Sequence, residues 1–259
     1  MFLFDTGEVF TAGWQGNGEK GDGGTNNRYY SKRVGRCNND GGGFSYENQT
    51  QQFQGSHGSR GTGLMIDIQA IKIGTSNEGD YANNSSSTMG ALDINGQLWT
   101  WGYNGHSGLG RNFRYNNNWY DSYVPSKIPQ QVFDNRKIRD FWLGGGNYQQ
   151  GHALDEDGNL WGWGYNGYGA LGLGDDQYQG QPRKVPYDFN RHGGIKKIIK
   201  AGYNSYVMTA VLTHDGVMHV AGYLPWVGEN LYRSGYANGN DYWSGGKTFS
   251  PMQQIFWGA

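Results

Sequence analysis

A short segment recurs four times along this chain, with glycine at the same two places in each copy. In every copy a leucine stands four residues before a turn glycine, and a second glycine stands six residues after it. Recurrence at fixed offsets is typical of repeat architectures, in which each unit packs against its neighbours. The four copies are Leu3–Gly13, Leu92–Gly102, Leu154–Gly164 and Leu212–Gly222.

Each copy predicts a β-hairpin. After the turn glycine, side chains alternate between two faces, with Leu98 and Thr100 on one side and Trp99 and Trp101 on the other. A period of two indicates a strand. Tight hairpin turns need positive φ angles, which Asx-Gly pairs adopt readily. Such pairs occupy three of the turns, at Asn95-Gly96, Asp157-Gly158 and Asp215-Gly216.

Further elements extend the unit on both sides of the hairpin. An apolar strand ending in a glycine-rich turn precedes each later hairpin, and a Gly-Leu-Gly or Ala-Leu-Gly loop follows two of them, at Gly108–Gly110 and Ala170–Gly172. Proline then marks the end of the unit, because proline suits connections and strand starts better than central strands. These prolines are Pro125, Pro182 and Pro251.

Composition agrees with a chain of short strands. Of 259 residues 46 are glycine, and 15% are aromatic while only 17% are charged. Glycine disfavours helix interiors, so a helical bundle is excluded, and no collagen period is present. A net charge of −1 gives no field that would attract nucleic acid, and no apolar run approaches the roughly 20 residues of a membrane span. Cys37 is the only cysteine, which excludes an intrachain disulfide.

The repeat resembles the regulator of chromosome condensation repeat family, whose units carry His-x-x-Ala-Leu, Gly-x-Val, Trp-Gly-x-Asn and Gly-Gln-Leu-Gly at fixed offsets. Residues 151–172 match that pattern closely, and the resemblance extends over most of 64–259 and the first hairpin. It implies an all-β fold, a β-propeller-like array of about four tandem four-stranded repeats. It also implies that His152 is a structural residue of the repeat.

The chain is predicted to be one repeat-array domain. Its parts are a partial blade at 1–15, a long polar insertion at 16–63, repeats at about 64–125, 126–182 and 183–250, and the start of a further repeat at 251–259. Turn glycines stand 89, 62 and 58 residues apart, more than the 40–50 residues or so of common propeller repeats. Four units are too few for the usual seven-bladed ring of the family. The array is therefore an incomplete ring, or part of a larger one that other chains or a continuation complete.

Aromatic side chains are the main candidates for a ligand or partner surface, because flat amphipathic rings suit recognition of sugars and proteins. The alternative is that many of them wedge between blades. A second candidate is a basic loop inside the insertion, where cations beside aromatics could grip phosphates, against the alternative of a solvated surface loop. The surface candidates are Tyr103, Trp119, Tyr120, Tyr165, Tyr223, Trp226 and Trp243, and the basic candidates are Arg28, Lys32, Arg33 and Arg36.

Catalytic and metal signals are missing from the sequence. It has no nucleophile elbow, phosphate-binding loop or zinc-protease motif, and its histidines are scattered. Asp155-Glu-Asp-Gly158 opens like a calcium loop but lacks the later bidentate glutamate, and the repeat explains it as a hairpin turn. We therefore expect no catalytic residue, no metal and no cofactor.

The sequence favours a non-enzymatic binding or structural module that presents aromatic-rich loops. The first context is a surface or tail-fibre-type component of a phage or virus particle, on the virion or another extracellular surface. Its partners would be other subunits of the assembly, and a surface glycan or receptor. The alternative is a cytoplasmic propeller adaptor, or a guanine nucleotide exchange factor acting on a small GTPase. The exchange wedge of the family has no match here.

Overall fold

The computed structural model describes residues 1–13, 18–21, 28–36, 63–65, 67–75, 87–112, 114–115, 118–119, 121–144, 148–203, 206–223 and 246–251. The strands in chain order are β1 (Phe2–Leu3), β2 (Val9–Gly13), β3 (Arg28–Arg33), β4 (Gly35–Arg36), β5 (Gly63–Leu64), β6 (Ile68–Thr75), β7 (Ser87–Asp93), β8 (Leu98–Gly102), β9 (Arg114–Tyr115), β10 (Asn118–Trp119), β11 (Ser122–Lys127), β12 (Ile138–Gly144), β13 (Gln150–Asp155), β14 (Leu160–Gly164), β15 (Gln179–Lys184), β16 (Ile195–Tyr203), β17 (Tyr206–Thr213), β18 (Met218–Gly222) and β19 (Gly246–Pro251). Four short 3-10 turns lie between them, at Gly105–Ser107, Gln130–Phe133, Gly167–Gly169 and Phe189–His192.

The all-β prediction is confirmed. Three antiparallel sheets have four strands each: β6, β7, β8 and β11 form blade II, β12 to β15 form blade III, and β16 to β19 form blade IV. Blade I has three described strands, β1 to β3. The recurrent hairpin supplies the middle of each sheet, and the turn glycines Gly96, Gly158 and Gly216 have φ angles of +80°, +85° and +87°. The predicted turn chemistry is therefore found in the hairpins of blades II, III and IV.

Blade I differs from what the sequence indicates for residues 16–63. Arg28–Arg33 is a strand, β3, which pairs antiparallel with β2 and occupies the place of a fourth strand. The segment from Gly18 to Gly21 corresponds to the Gly-Leu-Gly loop of the later blades. Its buried Lys20 stands where the others have leucine, which hid the match. Residues predicted as a basic loop are thus backbone members of a sheet edge.

The outer strands contain the prolines that were expected to close each unit. Pro125 lies inside β11, which continues to Lys127, and Pro182 lies inside β15. An outer strand has one edge free of ladder hydrogen bonds, so a residue without an N–H fits there. The sheets of blades II and III consequently run two residues past their prolines, whereas β19 ends at Pro251.

The core consists of layers between neighbouring blades. The central strands β8 and β14 are buried at all five positions, because each has a blade on both faces. Three clusters of buried apolar side chains fill these layers. They contain Val9, Ile68, Trp99 and Trp101 between blades I and II, Leu98, Phe141, Trp161 and Trp163 between II and III, and Leu160, Leu171, Ile198 and Phe249 between III and IV.

Candidate functional site

A tryptophan-to-loop bond locks blade II to blade I and blade III to blade II. Trp101 of β8 donates its indole N–H to the carbonyl oxygen of Glu19 at 2.9 Å, and Trp163 of β14 donates to that of Gly108 at 2.9 Å. Thr100 holds the same loop in place by donating to the carbonyl oxygen of Leu109 at 2.8 Å. The loops of the Trp-Gly and Gly-Leu-Gly motifs are therefore fixed on a rigid base.

These loops gather at one end of the blades. In every blade the third strand runs away from the hairpin turn, so its connection to the fourth strand lies at the opposite end of the sheet. The connection between the first and second strands lies at that end as well. We call this end the connection face, comprising the 3-10 turns Gly105–Ser107 and Gly167–Gly169 with Tyr103, Tyr148, Tyr178 and Tyr223. The opposite end, with the hairpin turns, is the turn face.

An aromatic cluster joins blades II and III on the connection face. Tyr148 stacks on Tyr165 with ring centroids 4.5 Å apart, and Tyr178 lies 5.3 Å from Tyr165. His106, from the loop of blade II, contacts the three tyrosine rings edge-on at 4.2 to 5.5 Å. Tyr178 is 48% exposed, whereas Tyr165 is buried at 6%. The cluster thus has a covered base and an open top.

A second pair of rings joins blades III and IV. Tyr168 and Tyr223 are half-buried, with ring centroids 5.2 Å apart. His106 and Tyr168 occupy the same place in their two loops, and both have a positive φ, +53° and +62°. Because a ring at this place leaves its own blade and contacts the next, the connection face carries a row of rings across three blades.

The environment of the rings affects their ionisation. Partial burial raises the pKa of Tyr178, and the neighbouring Tyr148 raises it further. The phenol of Tyr178 therefore stays a neutral hydrogen-bond donor and acceptor at physiological pH. Full burial lowers the pKa of His152 far below its usual value, and Lys200 lowers it further. His152 therefore remains neutral, with Nε2 lying 3.2 Å from the carbonyl oxygen of Leu171. The structural role expected of His152 fits this environment.

The sequence candidates are placed as follows. Tyr103 and Tyr165 lie against Gly105 and Gly167 of their own loops, where an added Cβ would come within 2.2 Å of the Tyr103 ring and 2.0 Å of the Tyr165 hydroxyl. Tyr223 joins Tyr168. Trp119 lies on β10, and Arg28, Lys32, Arg33 and Arg36 lie on β3 and β4, with only their backbone described. Tyr120, Trp226 and Trp243 lie outside the described residues.

Four ring residues of this face were not singled out from the sequence: His106, Tyr148, Tyr168 and Tyr178. An alignment of the Gly-His-Ser and Gly-Tyr-Gly turns would have found His106 and Tyr168. Tyr148 and Tyr178 lie in connections that do not repeat, so only the folded arrangement brings them to Tyr165.

Neither a metal site nor a membrane-spanning helix is found among the residues that the structure describes. Among the residues the structure describes, no group of three or more histidine, cysteine, aspartate or glutamate side chains is arranged to hold a metal ion. Within the same residues, no helix has the length and apolar character that crossing a bilayer requires.

Comparison with known proteins finds a family model that matches part of the chain. Residues 157–207 match the Regulator of chromosome condensation (RCC1) repeat. The chain is 32% identical over 136 residues to the ultraviolet-B receptor UVR8 of Arabidopsis thaliana. It is 33% identical over 131 residues to the mitochondrial RCC1 domain-containing protein RUG3 of the same plant. Each match covers 51% of this chain, and it spans only 27% and 26% of the two relatives.

Solved structures support the fold. Yeast RCC1 (Prp20) bound to Kap60 aligns with 97% of this chain at a TM-score of 0.59 and 15% identity. Human WBSCR16 aligns with 98% at a TM-score of 0.54 and 20% identity. The chain covers 47% and 50% of those two proteins. At such identities the likeness shows the architecture alone, and no comparison supports a phage or virus origin.

Proposed function

The chain carries repeats of the regulator of chromosome condensation (RCC1) family, and from this premise we propose that it is a non-enzymatic, protein-binding propeller module whose connection face receives the partner. The observation that carries the proposal is the row of rings from His106 to Tyr223, which begins on the loop of blade II that Trp163 fixes to blade III. Preformed loops reduce the ordering cost of binding, and exposed tyrosine is a frequent anchor in protein interfaces.

Solved structures of similar fold are in line with this class of function. One describes yeast RCC1 bound to Kap60, and another describes the binding properties of Prp20p to Gsp1p and histones. Those partners belong to those proteins. For this chain the proposal is limited to recognition of a protein by the rings of the connection face. The particle-component and glycan interpretations find no support in the comparisons and are not part of it.

A photo-crosslinker at Tyr178 would identify the partner, and binding of the purified partner would then be measured with variants. Tyr178→Ser and Tyr223→Ser remove rings from the connection face. Ile94→Ser and Met218→Ser, which change residues 63% and 40% exposed near the turn face, are matched controls. We expect the tyrosine variants to weaken binding about tenfold or more, as loss of interface anchors does. Equal losses in both sets, or none, would contradict the proposal.

Guanine nucleotide exchange on a small GTPase is the alternative within the same class. It predicts that catalytic amounts of the protein accelerate nucleotide release from the purified partner that the crosslinker identifies. Tight binding to a partner without accelerated release would identify an adaptor instead.

A further inference from the structure

Blade IV departs from the other blades at one buried position of its third strand. In blades II and III this position is Trp99 or Trp161, whose indole N–H donates to the carboxylate of Asp93 at 3.2 Å or Asp155 at 2.9 Å. In blade IV the tryptophan is replaced by His219 and the aspartate by Thr213. The fully buried, titratable imidazole of His219 thus takes the place of a neutral indole ring.

The smaller ring makes room for further polar groups. The Tyr187 hydroxyl lies 3.1 Å from Nδ1 of His219 and 3.3 Å from Nε2 of His192. Nδ1 of His192 lies 2.8 Å from the Asp215 carboxylate, and Nε2 of His219 lies 3.5 Å from the Thr213 hydroxyl. We call these five residues the junction cluster. It ties the connection between blades III and IV, residues 185–194, to the hairpin of blade IV.

We propose that the junction cluster is a pH-sensitive latch, which fastens this connection to blade IV at neutral pH and releases it on acidification. The inference does not depend on the proposed function. A neutral imidazole has one N–H and one acceptor nitrogen, so the tyrosine hydroxyl can bridge the two rings. When both rings are protonated, neither keeps an acceptor, and two cations face each other with ring centroids 4.6 Å apart.

The surroundings offer His219 little compensation for a charge. Phe189 covers its ring edge-on at 5.6 Å. The charged groups nearby are Asp215 on the hairpin, Asp188 and Arg191 on the connection, and His192 itself, with Arg191 lying 5.8 Å from the centroid of the Tyr187 ring. Only Asp215 favours the charged form of His219 in this arrangement, and it is already bonded to His192 and Thr213.

The sign of the pH effect follows from His219. Burial, and then the neighbouring His192, lower the pKa of His219 below its usual value, while Asp215 opposes them. A histidine whose pKa is lowered in the folded state stabilises that state above its ordinary value of about 6.5 and loses this contribution as the pH falls. Hydrogen bonds from Thr213, His192 and the Val217 N–H hold the pKa of Asp215 at about 2, so Asp215 stays ionised throughout.

Amide hydrogen exchange of the whole chain tests the latch. Peptides covering 187–194 are compared at about pH 7.5 and about pH 5.5, after correction for the intrinsic exchange rate. We expect the opening equilibrium of this segment to increase as the pH falls from the ordinary pKa of a histidine to the lower pKa of buried His219. The increase approaches a limit of about tenfold for each pH unit. His219→Gln should flatten the response, and His214→Gln, an exposed histidine of the same hairpin, should leave it intact.

Tyr187→Phe keeps the packing of the ring and removes only the bridging hydroxyl, so it serves if His219→Gln does not fold. We expect it to raise exchange of 187–194 at neutral pH and to weaken the pH response. An unchanged wild-type segment at the two pH values would overturn the latch. So would a full response in the His219 variant, or the loss of the response in the His214 control.

Discussion

Glycine is required at position 110, at a blade interface, for two independent reasons. Its φ is +68°, which an L side chain adopts only with strain, and an added Cβ would lie 2.8 Å from the Trp163 ring of the next blade. Gly174 has an even larger φ of +89°, but nothing lies within 4 Å of its Cβ position. A comparison of substitutions at Gly110 and Gly174 therefore separates the cost of backbone strain from the cost of interblade packing.

We expect Gly174→Ala to lower the free energy of unfolding by about 1 kcal/mol through strain alone. Gly110→Ala should cost about 2–4 kcal/mol, because overpacking against Trp163 is added to the strain. Urea denaturation of the two variants measures the difference. Equal losses would mean that Gly110 is not packed as the structure places it.

Asp121 is a largely buried carboxyl whose ionisation opposes folding. Burial raises the pKa of Asp121 to about 7, in spite of the backbone N–H that Asn104 donates to it at 2.9 Å, and Glu19 raises it further. A carboxyl whose pKa is raised on folding destabilises the folded state as the pH rises from its ordinary value of 3.8 towards 7.

We expect Asp121→Asn to remove a contribution that lowers thermal stability as the pH rises from about 4 to about 7, where this group contributes a slope of at most about 1.4 kcal/mol per pH unit. Asp134→Asn, which changes an exposed acid, is the control and should keep the slope of the wild type. A parallel decline in both variants would show that Asp121 ionises freely.

At the scale of the elements, the hairpins were predictable because turn chemistry and strand alternation are local and repeat four times. The fourth strand of blade I was not, because β3 has no motif of its own and is defined by pairing with β2. The same holds for the site. Tyr103, Tyr165 and Tyr223 were found from the repeat, whereas Tyr148 and Tyr178 reach the cluster only through the fold.

The hairpin of blade III depends on one buried carboxylate. Asp155 accepts hydrogen bonds from the backbone N–H of Asp157 at 3.0 Å and of Asn159 at 2.8 Å, and from the Trp161 indole at 2.9 Å. We expect Asp155→Ala to cost about 3 kcal/mol, because buried donors lose a charged acceptor. Asp157→Ala removes only a half-exposed ion pair with Arg136, worth less than about 1 kcal/mol. Chemical denaturation that ranks the two variants in reverse would contradict this assignment.

At the scale of the whole molecule, the blades form a series in which each contacts its neighbours through one apolar layer and, at two interfaces, a tryptophan-to-loop bond. Stability in such arrays is the sum of unit and nearest-neighbour contributions. The repeat pattern predicted the units. It did not predict the interfaces, because Gly108 and Trp163 are far apart in sequence and are brought together only by the stacking of the blades.

The loops of blades I and II on the connection face are held by the following blade, and amide hydrogen exchange of Trp163→Phe tests this most directly. Trp161→Phe is the matched control, since the Trp161 indole bonds within its own blade, to Asp155. We expect Trp163→Phe to speed exchange both in β14 and in the loop of blade II at 105–111, and Trp161→Phe to leave that loop unchanged. Faster exchange confined to blade III in both variants would contradict the claim.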